Sequence, residues 1–352
     1  MRHLFAKQLL EWHGKNARDL PWCSEKDPYR IWVSEIMLQQ TTTQTVKGYY
    51  ERFLTAFPTV ETLAAADEEQ VLKLWEGLGY YSRARNLMKA AKIVVRDMGG
   101  RLPCDAAVLK KLPGIGDYTA AAIASMAYGQ AEPAMDGNLT RVLARVTAEE
   151  GCIAEAAVKE RLRAAGAALI DREHPGDFNQ AMMGLGNLVC VPIHPRCGDC
   201  PVATFCRAHA LGCEGNLPHK PPKPDRKKER LGVAIVLCDG RVLVHRRPDN
   251  ALLGGLWEYP NFENAMDADS LLECLEEMGI QACFVKKLGS ADHVFTHKAW
   301  QMTAFLFKAD SLPTEDDLRG ATDDELLRLP MPTAMMKLRP LLDGDVLDSG
   351  AV

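Results

Sequence analysis

The sequence lacks any long hydrophobic run. Its longest stretch free of Asp, Glu, Lys and Arg, Phe178–Pro195, has 18 residues, carries Asn179, Gln180, Asn187 and Pro192, and ends in a cluster of cysteines. That is poor material for a membrane span. The N-terminal Met1-Arg2-His3-Leu4-Phe5-Ala6-Lys7 has no apolar core of the kind a secretory signal needs. A large excess of one charge is also missing. The net charge is −5 over 352 residues, so the whole-molecule field does not steer the chain to a polyanion, and any nucleic-acid surface must be a local patch. No internal repeat is visible. Nor is there an even set of cysteines: the 11 present argue for a reducing cytoplasm and for metal ligation rather than a disulfide framework.

With 47% hydrophobic and 25% charged residues, the composition is that of ordinary globular protein, and the length suits two domains of roughly 150 residues each. The halves differ in charge. Residues 1–220 carry 26 basic against 25 acidic side chains, and residues 221–352 carry 16 against 22. Residues 1–210 read as mostly helical. Leu4, Leu9 and Leu10 suit one face of a first helix. A helix is expected over Pro28–Gln40, with others at Val71–Trp75 and Ala84–Val95 and breaks at Gly77/Gly79 and Gly99-Gly100. From Gly215 to Arg230 the chain turns Pro-rich and basic, which reads as an extended linker. Beyond it the pattern is β-rich: Val233–Leu237, a hairpin signal at Asp239-Gly240, Val242–Val244 and Trp300–Phe307, with helices at Ser270–Met278 and Asp323–Leu329.

Three constellations carry chemistry. Cys190, Cys197, Cys200 and Cys206 lie within seventeen residues, in a loop marked by Pro192, Pro195, Gly198 and Pro201. Zinc usually sits between two short Cys-x2–4-Cys knuckles. Only one short pair exists here, and the longer arms suit a cubane iron–sulfur cluster better. The other seven cysteines, among them Cys23, Cys104 and Cys213, read as small buried apolar side chains. Leu112-Pro113-Gly114-Ile115-Gly116 joins two helical stretches. It is either a tight turn or a phosphate-binding turn with free N–H groups at a helix start. Asp136-Gly137-Asn138 offers either a helix cap or a catalytic carboxylate. Glu35 lies among Ile31, Trp32, Ile36, Met37 and Leu38, so its carboxyl should be desolvated and stay protonated to unusually high pH, as a general acid requires. One protonated and one ionised carboxyl group is the layout for cleaving a glycosidic bond.

These residues, with Leu20-Pro21-Trp22, Val33-Ser34-Glu35-Ile36-Met37-Leu38-Gln39-Gln40-Thr41 and Gly77-Leu78-Gly79-Tyr80-Tyr81-Ser82-Arg83-Ala84-Arg85, resemble the MutY-type adenine DNA glycosylases of the helix-hairpin-helix base-excision superfamily. The resemblance covers nearly the whole chain. It implies a mostly α glycosylase domain over 1–214 with a 4Fe–4S loop at 190–206, a basic linker at 215–230, and a smaller α/β Nudix-like domain over 231–352 that reads the lesion. It implies removal of adenine opposite 8-oxoguanine or guanine in double-stranded DNA, with the base flipped out. Glu35 and Asp136 would be catalytic, helped by Tyr118 and Asn138. Arg18, Leu20, Trp22 and Gln180 would form the adenine pocket. Gln40, Thr41, Leu78, Tyr80, Leu112, Gly114, Gly116, Phe295, Thr296 and His297 would touch DNA or the lesion. Cys190, Cys197, Cys200 and Cys206 would bind one 4Fe–4S cluster. A monomer in the bacterial cytoplasm, associated with the nucleoid and with no membrane partner, is expected.

Superfamily members that also cut the strand carry a lysine just after the hairpin glycine. Here Asp117-Tyr118 follows Gly116, and no lysine lies between Lys111 and Lys159, so base removal without efficient strand cleavage is expected. Gly254-Gly255-Leu256-Trp257 matches the Nudix-like element. Aligned on Glu276-Glu277-Met278-Gly279, however, the chain puts Glu258, Asn264 and Leu272 where a nucleotide-hydrolysing Nudix box has Gly, Glu and Arg. Nucleotide hydrolysis is therefore not expected. Thr296 stands where the family's lesion loop has Ser, and Gly184 where an acidic residue is common. The rival readings are a glycosylase/lyase for oxidised pyrimidines, opposed by the missing lysine, and a non-catalytic iron–sulfur DNA-binding or electron-transfer protein, opposed by Glu35 and Asp136.

Overall fold

Asp27 starts the helix that carries Glu35. Its carboxylate accepts from the backbone N–H of Tyr29 at 2.8 Å and of Arg30 at 3.2 Å, and Pro28 supplies a pre-set first residue. The helix Pro28–Leu38 buries Ile31, Trp32, Val33, Ile36 and Met37. Each such side chain contributes about 1.5–3 kcal/mol on leaving water, which is enough to draw in the carboxyl between them. The helix stops two residues earlier than the sequence suggests. Gln39 is extended and Gln40 takes φ +60°, while the Thr42 hydroxyl caps the next helix, Thr43–Ala56. In the first helix, Arg2–Asn16, Phe5, Ala6 and Leu9 form the buried face and Leu4 points out.

The computed structural model describes residues 2–222, 225–249 and 251–342. Its contacts divide the chain into two units, Met1–Ala65 with Asn86–Pro222, and Ala66–Arg85 with Lys223–Val352. The first unit is helical. Its core joins Phe5 and Leu9 to Leu139, Val142 and Leu143 of helix Gly137–Thr147 and to Phe178, Met182 and Leu185 of helix Pro175–Leu188.

The second unit is built on a seven-stranded mixed sheet: β1 Lys227–Cys238, β2 Arg241–Arg246, β3 Trp257–Glu258, β4 Asn261–Glu263, β5 Ala282–Val294, β6 Lys298–Ala309 and β7 Leu318–Ala321. The order is β3-β2-β1-β6-β5, with β4 on β1 and β7 on β2. β1 and β6 run parallel, with Val233 beside Ala304. Asp239 and Gly240 both take positive φ and close the β1–β2 hairpin, as their sequence predicts. The Nudix box differs in substance as well as spelling. Glu258 is buried and accepts from Arg247 Nη1 at 2.6 and 2.7 Å, with His245 Nε2 at 3.1 Å, so its carboxylate is spent inside the domain.

Residues 66–85 join this unit through specific bonds. Trp257 Nε1 donates to Glu69 at 2.6 Å, Lys73 Nζ to the Leu329 carbonyl at 3.1 Å, and the Met331 N–H to Glu76 at 2.9 Å. The stretch read as a linker is held at both ends. His219 Nδ1 lies 2.8 Å from the Glu150 carbonyl oxygen, and the strand pairing of β1 begins at Lys227. The reading of the seven other cysteines as buried needs correction. Only Cys238 is buried, while Cys104 and Cys283 are exposed. Cys104 lies at an exposed bend between Pro103 and Asp105, the cap of helix Ala106–Leu109. Among the described residues, no helix is long and apolar enough to cross a membrane.

Candidate active site

One cavity of about 870 Å³ in the first unit collects all the residues expected for catalysis and for the adenine pocket. Glu35 enters from helix Pro28–Leu38, and Tyr118 from the first turn of helix Asp117–Tyr128. Asp136 is the cap of helix Gly137–Thr147, and Asn138 stands in its first turn. Arg18, Leu20 and Trp22 line the cavity from one turn and Gln180 from helix Pro175–Leu188, with Gln40, Thr41 and Gly116 also on the wall.

Glu35 is only 4% exposed. Burial, with a smaller push from Asp136, raises its carboxyl from 4.5 to about 7, against the opposing hydrogen bond from Tyr118. The Tyr118 hydroxyl donates to Glu35 Oε2 and fixes the carboxyl plane. Desolvation and the two neighbouring carboxylates hold that phenol well above its usual range, so it stays a donor.

Asp136 resolves the choice between cap and cavity-facing acid by being both. Its Oδ1 accepts from the Leu139 N–H at 2.6 Å, and its Oδ2 accepts from Asn138 Nδ2 at 2.7 Å. Burial pushes its ionisation up, and these bonds pull it down. Asn138 is oriented in turn by Arg141, whose Nη2 reaches Asn138 Oδ1 at 2.9 Å and the Gly186 carbonyl at 2.8 Å, while its Nε reaches the Cys190 carbonyl at 2.8 Å. Gly186 must be glycine for this, since a Cβ there would fall 2.6 Å from that of Asn138. The sequence reading missed Arg141 and Arg145. Their signal is two arginines four apart on a helix face shared with Leu139 and Val142, where burial of a charge is costly unless it is paired.

If Glu35 acts as an acid, the reaction needs its protonated form. That form is lost as pH rises through about 7. The single-turnover rate of base release is expected to fall about tenfold per unit above that point. A profile flat from pH 6 to 9 would remove Glu35 from the role of acid.

The four cysteines are brought together. Cys190, Cys197, Cys200 and Cys206 line one small cavity. Arg145, 1% exposed, donates from Nη1 to Cys190 Sγ at 3.2 Å and to the Val191 carbonyl at 2.8 Å, and from Nη2 to the Pro192 carbonyl at 3.1 Å. Burial raises the thiols of Cys197, Cys200 and Cys206, and neighbouring thiols add to it. Such a set is not sustained as thiolates without a cation, which fits a metal centre. His209 and Glu214, which the sequence reading passed over, place ligand atoms within 4.8 Å of each other and of Cys197.

The remaining expected residues fall elsewhere. The side chains of Leu78 and Leu112 are buried, so only the backbone at these two positions is open to a ligand. Gly114 takes φ +78°, where a Cβ would lie 2.7 Å from that of Asn86. In the second unit, Tyr80 takes φ +49° and is 46% exposed. Its hydroxyl is hydrogen-bonded to that of Thr296. Arg83 Nη2 donates to the carbonyls of Leu78 and Gly79, both at 3.0 Å, and so braces this turn. Phe295 packs edge-on to Trp300 with ring centres 4.8 Å apart, which leaves Thr296 and His297 exposed at the tip between β5 and β6.

Residues 33–166 match the family described as HhH-GPD superfamily base excision DNA repair protein, and residues 232–340 match the NUDIX domain. The adenine DNA glycosylase of Mus musculus is 35% identical, over 95% of this chain and 77% of its own. That of Homo sapiens is 33% identical, over 97% and 74%. A solved structure of a thermostable thymine-DNA glycosylase aligns at 28% identity with a TM-score of 0.53, over 60% of this chain and 97% of that one.

Proposed function

The chain belongs to the adenine DNA glycosylase family, and from that premise we propose that it hydrolyses the N-glycosyl bond of adenine paired with 8-oxoguanine or guanine, without efficient strand cleavage. The observation that carries this reading is the pair of carboxyl groups facing one cavity, with Glu35 buried and protonated up to about pH 7 and Asp136 held by two hydrogen bonds.

A base inside the stack offers no access to its glycosidic bond, so the adenine is flipped into the cavity. There Glu35 protonates ring nitrogen 7 and makes the base a better leaving group. The sugar left behind is an oxocarbenium-like cation, which the Asp136 carboxylate stabilises by charge or by a transient bond. Glu35, now ionised, takes a proton from the attacking water. Tyr118 and Asn138 position the two carboxyl groups. Arg18, Leu20, Trp22 and Gln180 enclose the base. Gly114 and Gly116 leave backbone N–H groups open to a phosphate at the start of helix Asp117–Tyr128. Tyr80 wedges into the stack, Gln40 fills the gap, Thr41 touches the lesion strand, and Phe295, Thr296 and His297 read the 8-oxoguanine. No lysine lines the cavity among the described residues, which supports hydrolysis over Schiff-base chemistry. The enzyme works as a monomer.

We further propose that Cys190, Cys197, Cys200 and Cys206 hold one 4Fe–4S cluster, which when bound ties the loop and contributes folding free energy. Purified protein should be brown, with about four irons per chain. Stoichiometric zinc from cells supplied with iron would instead favour a site that draws on Cys197, His209 and Glu214.

The central test is a denaturing gel of duplexes with adenine opposite 8-oxoguanine, run with and without alkali. Strand breaks only after alkali support the reading. Breaks without alkali favour a lyase, and no breaks at all favour a binding protein.

A further inference from the structure

The wall of the cavity holds a polar group that the mechanism above leaves unused. His13 stands in the last turn of helix Arg2–Asn16 and lines the cavity together with Gly184 of helix Pro175–Leu188. The two positions face each other. A Cβ added to Gly184 would lie 3.6 Å from His13 Nδ1 and 3.8 Å from Cε1. With no side chain at 184, the imidazole edge is uncovered on that side. Among the described residues, neither ring nitrogen has a hydrogen-bond partner.

We propose that His13 is a substrate-contacting specificity residue, its imidazole reaching the flipped base through the opening at Gly184 and accepting a hydrogen bond from the exocyclic amine of adenine. This rests on the adenine-excising reading given above.

The chemistry suits the task. Partial burial lowers the ionisation of His13, against a smaller opposing pull from Asp177. The ring is therefore neutral near pH 7, with one nitrogen free to accept. Asp177 is itself shared with Lys26, at 3.8 Å, so it does not hold the ring protonated. Helix Pro175–Leu188 presents Gln180 and Met183 to the same wall, and neither ionises. An amine that is bound by a half-buried acceptor distinguishes adenine from purines lacking the amine.

The test compares single-turnover excision of adenine and of unsubstituted purine, both opposite 8-oxoguanine. His13→Ala should slow adenine release about 5- to 10-fold, the loss of one hydrogen bond. It should leave purine release and duplex affinity unchanged within about twofold, a selectivity that general damage to the fold would not give. His13→Gln, which keeps an acceptor of similar reach, should recover most of the adenine rate. Equal losses on both substrates, or no loss on adenine, would overturn the assignment. Wild-type protein that fails to release adenine would instead sink the parent reading, so the two failures are distinguishable.

Discussion

Glu35→Gln is expected to lower the single-turnover rate of adenine release by about 100- to 10,000-fold while leaving duplex binding intact. The amide still accepts from Tyr118 and still fits among Trp32, Ile36 and Met37, so folding should not suffer. Stability gives the same substitution a second readout, and its sign follows from linkage. Burial raises Glu35 from 4.5 to about 7, so between those values the folded state keeps a proton that the unfolded state has released. Wild-type stability therefore falls as pH rises across that window, by about 3 kcal/mol in total. The glutamine variant has no such loss. It should match wild type near pH 4.5 and melt several degrees higher at pH 8. A catalytic group that destabilises its own fold gives both signatures. A variant within tenfold of wild-type activity would refute the role of acid, and a stability gap that does not widen between pH 5 and pH 8 would refute the burial argument.

The burial of Glu35 is legible in the sequence because it depends on neighbours no more than one helical turn away: Ile31, Trp32, Ile36 and Met37 set its environment locally. The Asp239-Gly240 hairpin and the gathering of four cysteines are legible for the same reason, since short spacing dictates proximity. Other features depend on partners far along the chain. Gln39 and Gln40 leave the helix because Thr42 caps the next one, a competition that periodicity does not register. His13 gave no signal at all, because its meaning comes from Gly184, on a different helix. The sequence offers Asp136 as either cap or acid, whereas a carboxylate has two oxygens and here each has its own partner. The membership of residues 66–85 in the second unit was the least accessible, because it is written in bonds to Trp257, Leu329 and Met331.

Replacing His297 with alanine is expected to reduce the preference for adenine opposite 8-oxoguanine over adenine opposite guanine by about 5- to 150-fold, the range for one lost bond to a base edge. His297 is exposed at the β5–β6 tip beside Thr296, so the substitution should not disturb the core. The measurement is the ratio of single-turnover rates on the two duplexes. A ratio unchanged in both His297→Ala and Thr296→Val would mean that the tip does not read the lesion. Removing everything after about residue 225 is a blunter comparison. The sequence alone suggests that such a fragment keeps slow excision and loses preference. But Trp75, Leu72 and Val71 of the 66–85 segment are buried, and its bonds run to Trp257, Leu329 and Met331. The fragment would lose those bonds and deprive Tyr80 of its Thr296 partner.

The same segment imposes a schedule on biosynthesis. Glu69, Lys73 and Glu76 leave the ribosome long before Trp257, Leu329 and Met331 exist. At about 5–20 residues per second, the gap is on the order of ten seconds to a minute. During that time the bonds that join Glu69, Lys73 and Glu76 to Trp257, Leu329 and Met331 cannot form. The helices on either side, Val60–Ala65 and the later part of Ser82–Met98, belong to the unit that is completed first. The nascent chain thus carries a segment whose bonds within the second unit are still to be made. That segment is where a chaperone or a protease would act first, and a premature stop in the last third of the gene would leave those bonds unmade for good.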